Sequence, residues 1–390
     1  MEIKSTFSFK ELVKTTFFFS LLLLLIFYLT ACQSNISNST NNQQKVKDVG
    51  RLSTELTLND AVLEQSNTEG NLIWKIKAKQ TTYSEDRKIA YLKEITANLL
   101  QDKKIILKVR GQEGEVLEQG NLIILKERVV ASDARNQTVL RGNIVEWRPS
   151  ENLLIVKDNL QGNHPNLVVT SNTAKYFTDT ENLELIGRVV ANTLDSNLLL
   201  ESDRLLWQIP QQKIIINNSF KTVRYQQEVI TDRLVADRGE ANLSDRTITL
   251  NNNIELTSIE PELKIATNSA IWNYERRLIN SDLPIQIVDK TQELVIIGNQ
   301  GQIDFQKQFA TLQNGVKGNN NREKSDIYSR QAIWDMTKNE ITATGDVIYN
   351  KTQPKVNLRG DKALIYLDTN KAIVTSDRPK NKPVVSVVSD

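Results

Sequence analysis

The chain carries one thiol and one imidazole, Cys32 and His164. A single cysteine excludes an internal disulfide framework and any thiolate cluster for zinc or iron–sulfur, and a single histidine excludes multi-histidine metal sites. His164 lies in Gly162-Asn163-His164-Pro165-Asn166, a turn composition with no serine, cysteine or acid tied to it, and is expected on a surface loop. Gly298-Asn299-Gln300-Gly301 lacks the Lys-Ser/Thr of a phosphate loop. Arg359-Gly360-Asp361 is an adhesion tripeptide by spelling only. The chain therefore offers almost no equipment for catalysis, and neither enzymatic activity, nor a cofactor, nor a metal is expected. Cys32 stands apart. It closes Leu29-Thr30-Ala31-Cys32, which has the form of a lipobox. Small residues there would admit a signal peptidase, the thiol would take a diacylglycerol, and the freed amine a further chain. Two or more acyl chains anchor stably to a bilayer where one does not.

The surroundings of Cys32 fit that chemistry. Lys4, Lys10 and Lys14 precede an apolar run, Phe17–Leu29, of thirteen residues. A membrane-spanning helix needs about 20 residues, so the run fits a signal segment better. Residues 1–31 are expected to be a lipoprotein signal peptide, forming a signal/anchor helix. Residues 32–51 are expected to be the lipidated cysteine and a disordered tether, because 33–48 are polar and carry no apolar periodicity. Of the 390 residues, Lys and Arg number 49 and Asp and Glu 47, a net charge of +2, which gives no reason to expect a nucleic-acid partner.

The rest of the chain is periodic. A six-residue block, small at its start and apolar or aromatic at its end, begins at Ala78, Gly111, Gly142, Ser171, Ser202, Ala236, Thr267, Gly298, Ser329 and Gly360. The spacings are 33, 31, 29, 31, 34, 31, 31, 31 and 31 residues, so ten units repeat at close to 31. Four of the five tryptophans, Trp147, Trp207, Trp272 and Trp334, close the block. Alternate residues before and after it are apolar, as in Leu183, Leu185, Gly187, Val189, which is the period of a strand with one buried face. No stretch sustains a 3.6 period. The inward set Leu263, Ile265, Thr267, Ala270, Trp272 changes parity between 267 and 270. A one-residue slip would otherwise turn every later side chain to the other face, so a bulge or corner must sit there. The expected fold is all-β: two facing antiparallel sheets built from ten repeats, with 20 to 30 short strands. The unit at 226–258 is the least regular, and its register does not follow from the sequence.

A second column in the block is also mostly small: Thr81, Gly114, Ala174, Gly239, Ala270, Gly301, Ala332 and Ala363. Packed interiors reach crystal-like density. Small residues either leave a trough between the sheets or mark tight corners, and composition does not choose between the two. A trough would be lined by Trp74, Ile76, Tyr83, Trp147, Val169, Tyr176, Leu200, Trp207, Ile265, Trp272, Ile303, Trp334 and Ile365.

Trp74-Lys75-Ile76-Lys77-Ala78, Tyr83 and the return strand after them resemble the start of the LptC family of lipopolysaccharide-transport proteins. Later units, such as Ala270-Ile271-Trp272 and Ile341-Thr342-Ala343-Thr344-Gly345-Asp346-Val347, resemble the related LptA/OstA repeats. The resemblance covers about 52–378, with 52–225 as an LptC-like module, 226–378 as an LptA/OstA-like continuation and 379–390 as a tail. It implies an elongated open β-jellyroll whose groove carries lipopolysaccharide acyl chains. It further implies a partner inner-membrane ABC transporter of the LptBFG type, and docking to an LptA-like or LptD-like jellyroll through edge strands, which can accept a partner by β-augmentation. The corresponding location is periplasmic, anchored to the inner membrane through Cys32. Two departures stand out: family members are typically about half this length, and many are held by a helix where this chain offers a cysteine. The alternative is a structural or adhesive surface lipoprotein with a packed β-sandwich core.

Overall fold

The computed structural model describes residues 56–376 and the backbone of 386–388. The chain divides into two units, Met1–Ser53 and Thr54–Asp390. The apolar run, Cys32 and the tether lie outside the described residues. Among the described residues of the second unit, 26 strands form one continuous antiparallel sheet.

The strands of the first half are β1 (Thr57–Ser66), β2 (Leu72–Tyr83), β3 (Ala90–Gln101), β4 (Lys104–Leu117), β5 (Leu122–Asp133), β6 (Val139–Arg148), β7 (Leu153–His164), β8 (Leu167–Phe177), β9 (Asn182–Thr193) and β10 (Leu198–Gln208). Those following are β11 (Lys213–Ile216), β12 (Phe220–Gln226), β13 (Val229–Ala236), β14 (Arg238–Asn242), β15 (Thr247–Ser258), β16 (Leu263–Asn273), β17 (Leu278–Ser281) and β18 (Ile285–Asp289). The last are β19 (Leu294–Asp304), β20 (Phe309–Asn320), β21 (Ser325–Ser329), β22 (Gln331–Asp335), β23 (Glu340–Thr352), β24 (Lys355–Tyr366), β25 (Lys371–Thr375) and β26 (Ser386–Val388). The all-β expectation and the strand number hold. Many strands run to 12 residues or more, longer than expected, because each long strand passes through both layers.

The parity change at 267–270 is the corner between layers. Leu263, Ile265, Thr267, Ala270 and Trp272 are all buried, and the β15–β16 register shifts by one residue between Asn251 and Ile254. Going out along β16, inward positions 267 and 270 are three apart. Returning along β15, Leu250 and Ile254 are four apart, so the partner strand carries one residue more. The extra residue is absorbed by left-handed backbone at Asn252 (φ 63°) and Asn253 (φ 49°). Adjacent left-handed pairs recur in five other return strands: Glu127-Arg128, Asp158-Asn159, Gly187-Arg188, Asn314-Gly315 and Gly345-Asp346. Asn, Asp and Gly tolerate that region best, which accounts for most of this composition. Side chains tie the outer side of the corner, as where Arg188 Nε donates to Asn172 Oδ1 at 3.0 Å.

Each long strand thus places one half in layer I and the other in layer II. Layer I contains, for example, 263–267 of β16, and layer II contains 269–273. In the second half the corner sometimes breaks the strand outright, giving β11/β12, β13/β14, β17/β18 and β21/β22. This explains the irregular unit at 226–258. There β13 pairs with β12 and β15, β14 pairs with β11 and β15, and Asp237 is the break between them. The ladder stays continuous through most corners, so the two facing layers are one folded sheet. At the carboxyl end, the backbone of β26 pairs with β25 through Ala372↔Val388 and Val374↔Ser386.

Candidate functional site

The block-ending residues fall on one straight cross-strand row of layer II. Register partners run Tyr83–Ala90–Val116–Ile123–Trp147–Leu154–Tyr176–Leu183–Trp207. The same row continues Ile214–Ala241–Ile248–Trp272–Ile279–Ile303–Ala310–Trp334–Ile341–Ile365. It crosses nineteen strands, and at about 4.8 Å per strand its contour is roughly 85 Å. Ile76, Val169, Leu200 and Ile265 share an equivalent row of layer I, which includes Ala97, Val109, Ala131, Leu140, Gly162, Ala191, Thr222, Leu234 and Leu256. Trp74 lies two residues from Ile76, on the layer I row beside it.

These two rows form the interior between the layers. Eleven of the thirteen proposed lining residues are buried in one contiguous apolar cluster, and Tyr83 and Ile365 pack against it half-buried. The small columns are closely contacted. A Cβ on Gly114 would stand 2.7 Å from Ile95 Cδ1, and one on Gly239 would stand 2.7 Å from Phe220 Cζ. Gly301 is similarly enclosed by Leu312 and Ile285. Small residues therefore receive large side chains of neighbouring strands.

Polar clasps join the layers along their free rims. Asp133 ends β5 at the rim of layer I. Its Oδ2 accepts from the hydroxyl of Tyr176 in layer II at 2.8 Å. Arg135 Nη2 donates to Asp133 Oδ2 at 2.6 Å and to the Thr178 carbonyl of the layer II rim at 2.9 Å. A second clasp joins Asp232 of β13 to Arg277 in the β16–β17 turn. Arg277 also donates to Ser258 Oγ and the Glu260 carbonyl, both at 3.0 Å, and its guanidinium lies 5.5 Å from the centre of the Phe305 ring. Arg246 and Asp195 make a longer rim contact at 3.6 Å. Burial, and then the charge of Asp133, push the Tyr176 hydroxyl well above its ordinary pKa. Burial pushes Tyr274, on the layer II rim, up to about 12.

His164 is placed differently from the surface loop its sequence context suggested. It is the last residue of β7, paired with Leu167, and its ring packs edge-on against Trp207 of the other layer with centroids 5.0 Å apart. Burial lowers its pKa. The Gly-Asn-His-Pro-Asn composition marks the turn correctly, but the turn begins one residue later.

Sequence reasoning missed a cleft between the layers near the carboxyl end. Leu294, Ile296, Val316 and Ile327 line it from layer I, and Ala332, Ile341, Ile365 and Leu367 from layer II. Its cavity volume is about 40 Å³, and Asn319, Asn320 and Asp326 stand in its polar lining. Here the main apolar cluster gives way to a smaller one containing Ile327, Ala343, Val347 and Tyr349. The lining residues alternate like those of every other unit, so no local sequence signal distinguishes them.

A family model described as lipopolysaccharide-assembly, LptC-related, matches residues 20–143 and 206–321, together more than half of the chain. No curated protein matches the sequence.

Proposed function

The chain belongs to the LptC family, and on that premise we propose that it carries lipopolysaccharide acyl chains between its two β-layers, from an inner-membrane ABC transporter of the LptBFG type toward the outer membrane. Family membership itself implies a part in lipopolysaccharide transport and assembly, as a transport component rather than an enzyme, at the periplasmic side of the inner membrane. The observation that carries the finer reading is the pair of in-register, largely apolar rows, buried for most of their length in one cluster, with a cleft where that cluster meets a smaller one. Apolar surface of this kind suits acyl chains because transfer out of water is favourable by about 25 cal/mol per Å².

In this reading Trp74, Ile76, Val169, Leu200 and Ile265 line one wall. Tyr83, Trp147, Tyr176, Trp207, Trp272, Ile303, Trp334 and Ile365 line the other. Cys32, lipidated, holds the protein to the inner membrane. The sheet edges at β1 and at the carboxyl end offer backbone groups to an LptA-like or LptD-like jellyroll. The length beyond the usual family size makes a longer bridge.

A photo-crosslinking residue at Trp272 or Ile265 is expected to capture lipopolysaccharide, and one at outward Lys264 is not. Equal labelling at all three positions would sink the proposal. One observation favours the second reading, a structural lipoprotein with a packed core: the glycine sites are filled by neighbouring side chains. That reading expects no capture at any of the three positions and no dependence on an ATPase.

A further inference from the structure

The tryptophans that close the repeat block share an unusual electrostatic feature. The indole nitrogens of Trp147, Trp207, Trp272 and Trp334 are buried without a hydrogen-bond acceptor. Among the described residues nine buried side-chain polar atoms lack a partner, and these four are indoles of one cross-strand row. An unpaired buried donor is costly, and folded proteins leave few of them. Trp74, on the layer I side, differs in having an acceptor: its Nε1 donates to Gln65 Oε1 at 2.5 Å.

The four indoles are also evenly placed. Trp147 lies on β6, Trp207 on β10, Trp272 on β16 and Trp334 on β22. Along layer II each is the fourth strand from the last. At about 4.8 Å per strand the interval is roughly 19 Å. Random packing defects would not recur at one position of the repeat and one step of the ladder. The cleft reaches this series at its carboxyl end, because its lining residue Ile341 is the register partner of Trp334.

We infer that these four tryptophans are hydrogen-bond donors to carbonyl oxygens of acyl chains held between the layers, so that the interior selects esterified or amidated chains over plain hydrocarbon. The inference rests on the interior being the lipid path. An apolar wall alone binds any alkyl chain with similar strength per methylene. A buried donor that is paired only when the ligand brings an oxygen adds discrimination, because the plain chain leaves it unpaired. Trp334, nearest the cleft, meets an entering chain first. Trp272, Trp207 and Trp147 offer the same donor at successive steps, so a chain can pass its carbonyl from one indole to the next while its tail stays in hydrocarbon.

The test uses the full chain in alkyl maltoside micelles with isotope-labelled indole N–H groups. Two probes are delivered from cyclodextrin: methyl tetradecanoate, which has an ester carbonyl, and tetradecane, which has no acceptor. Single Trp→Phe changes assign each resonance by its loss. Methyl tetradecanoate is expected to move the Trp334 resonance downfield, followed by Trp272 at higher concentration. Tetradecane should bind without that movement, and Trp74 should stay still with both. Trp334→Phe should weaken methyl tetradecanoate binding about fivefold more than it weakens tetradecane binding. If both probes bind the wild-type chain while all four indoles stay still, the donor role is wrong and the lipid path stands. Equal weakening of both probes by Trp334→Phe has the same meaning. If neither probe enters, the lipid path fails and this inference with it.

Discussion

Arg277 reaches from the rim of layer II to Asp232 at the rim of layer I, with Nη2 2.9 Å from Oδ1 and Nε 3.2 Å from Oδ2. Asp232 is 1% exposed, and Arg224 approaches it from β12 at 3.6 Å. The two residues are 45 positions apart in sequence. The fold brings them together because β13 and the β16–β17 turn end at the same point along the two rims. With the Asp133–Tyr176–Arg135 cluster, this contact holds the layers together where no backbone ladder does.

Removing Asp232 leaves two guanidinium groups at the rim without their buried carboxylate. Asp232→Ala is expected to destabilise the protein by about 3 kcal/mol, in the range for breaking a buried ion pair. Urea unfolding checks this through the midpoint. If the clasp also governs parting of the layers, Asp232→Ala should raise amide exchange of β13 and β16 before global unfolding. An unchanged midpoint and exchange pattern would show that the pair is not a clasp.

The small column makes two opposite predictions at neighbouring positions. Gly114→Ala places a Cβ within 2.8 Å of the Ile124 carbonyl and Leu125 Cδ2. Overpacking of this kind costs about 1–3 kcal/mol. At Gly111 the nearest atom is Leu125 Cβ at 3.4 Å, an ordinary contact. Gly111→Ala should therefore be close to neutral, and denaturant curves of the two variants should separate clearly.

Trp272 is fully buried and pairs in register with Ile248 and Ile279. Trp272→Ala should cost about 3–5 kcal/mol if the ring is packed throughout the protein's working cycle. A smaller loss in urea, together with weaker lipopolysaccharide capture at Ile265, would show that the ring serves an interior that opens.

Tyr274 links stability to alkaline pH. Its folded pKa is raised to about 12 by burial, against about 10 in an unfolded chain. The unfolded state loses this proton first, so stability is fully present below pH 10 and falls as pH rises from there toward 12. The share from this group is on the order of 2–3 kcal/mol. Tyr274→Phe should remove that share of the slope, which melting curves between pH 9 and 11 would show. His164 acts on the other side. Its pKa is lowered by burial, so its contribution is present above its unfolded value of about 6.5 and is lost as pH falls below it.

The sequence by itself determined the repeat, the strand period and the corner. A strand exposes alternate residues to one face, so Leu263, Ile265, Thr267, Ala270 and Trp272 could be read as inward, with the parity break at the block, without coordinates. The same reasoning placed eleven of the thirteen proposed lining residues in the buried interior. The tertiary structure decided what strand period cannot carry. Which strands pair over a broken corner, as at Asp237, depends on partners far apart in sequence. Whether a small residue leaves space depends on the neighbour facing it, and at Gly114 and Gly239 that neighbour is a large side chain. The rim clasps and the cleft at Ile341 arise from turns and layers that meet only once the sheet is folded. A one-dimensional pattern records which way a side chain points; what stands opposite it is set by the register of the whole ladder.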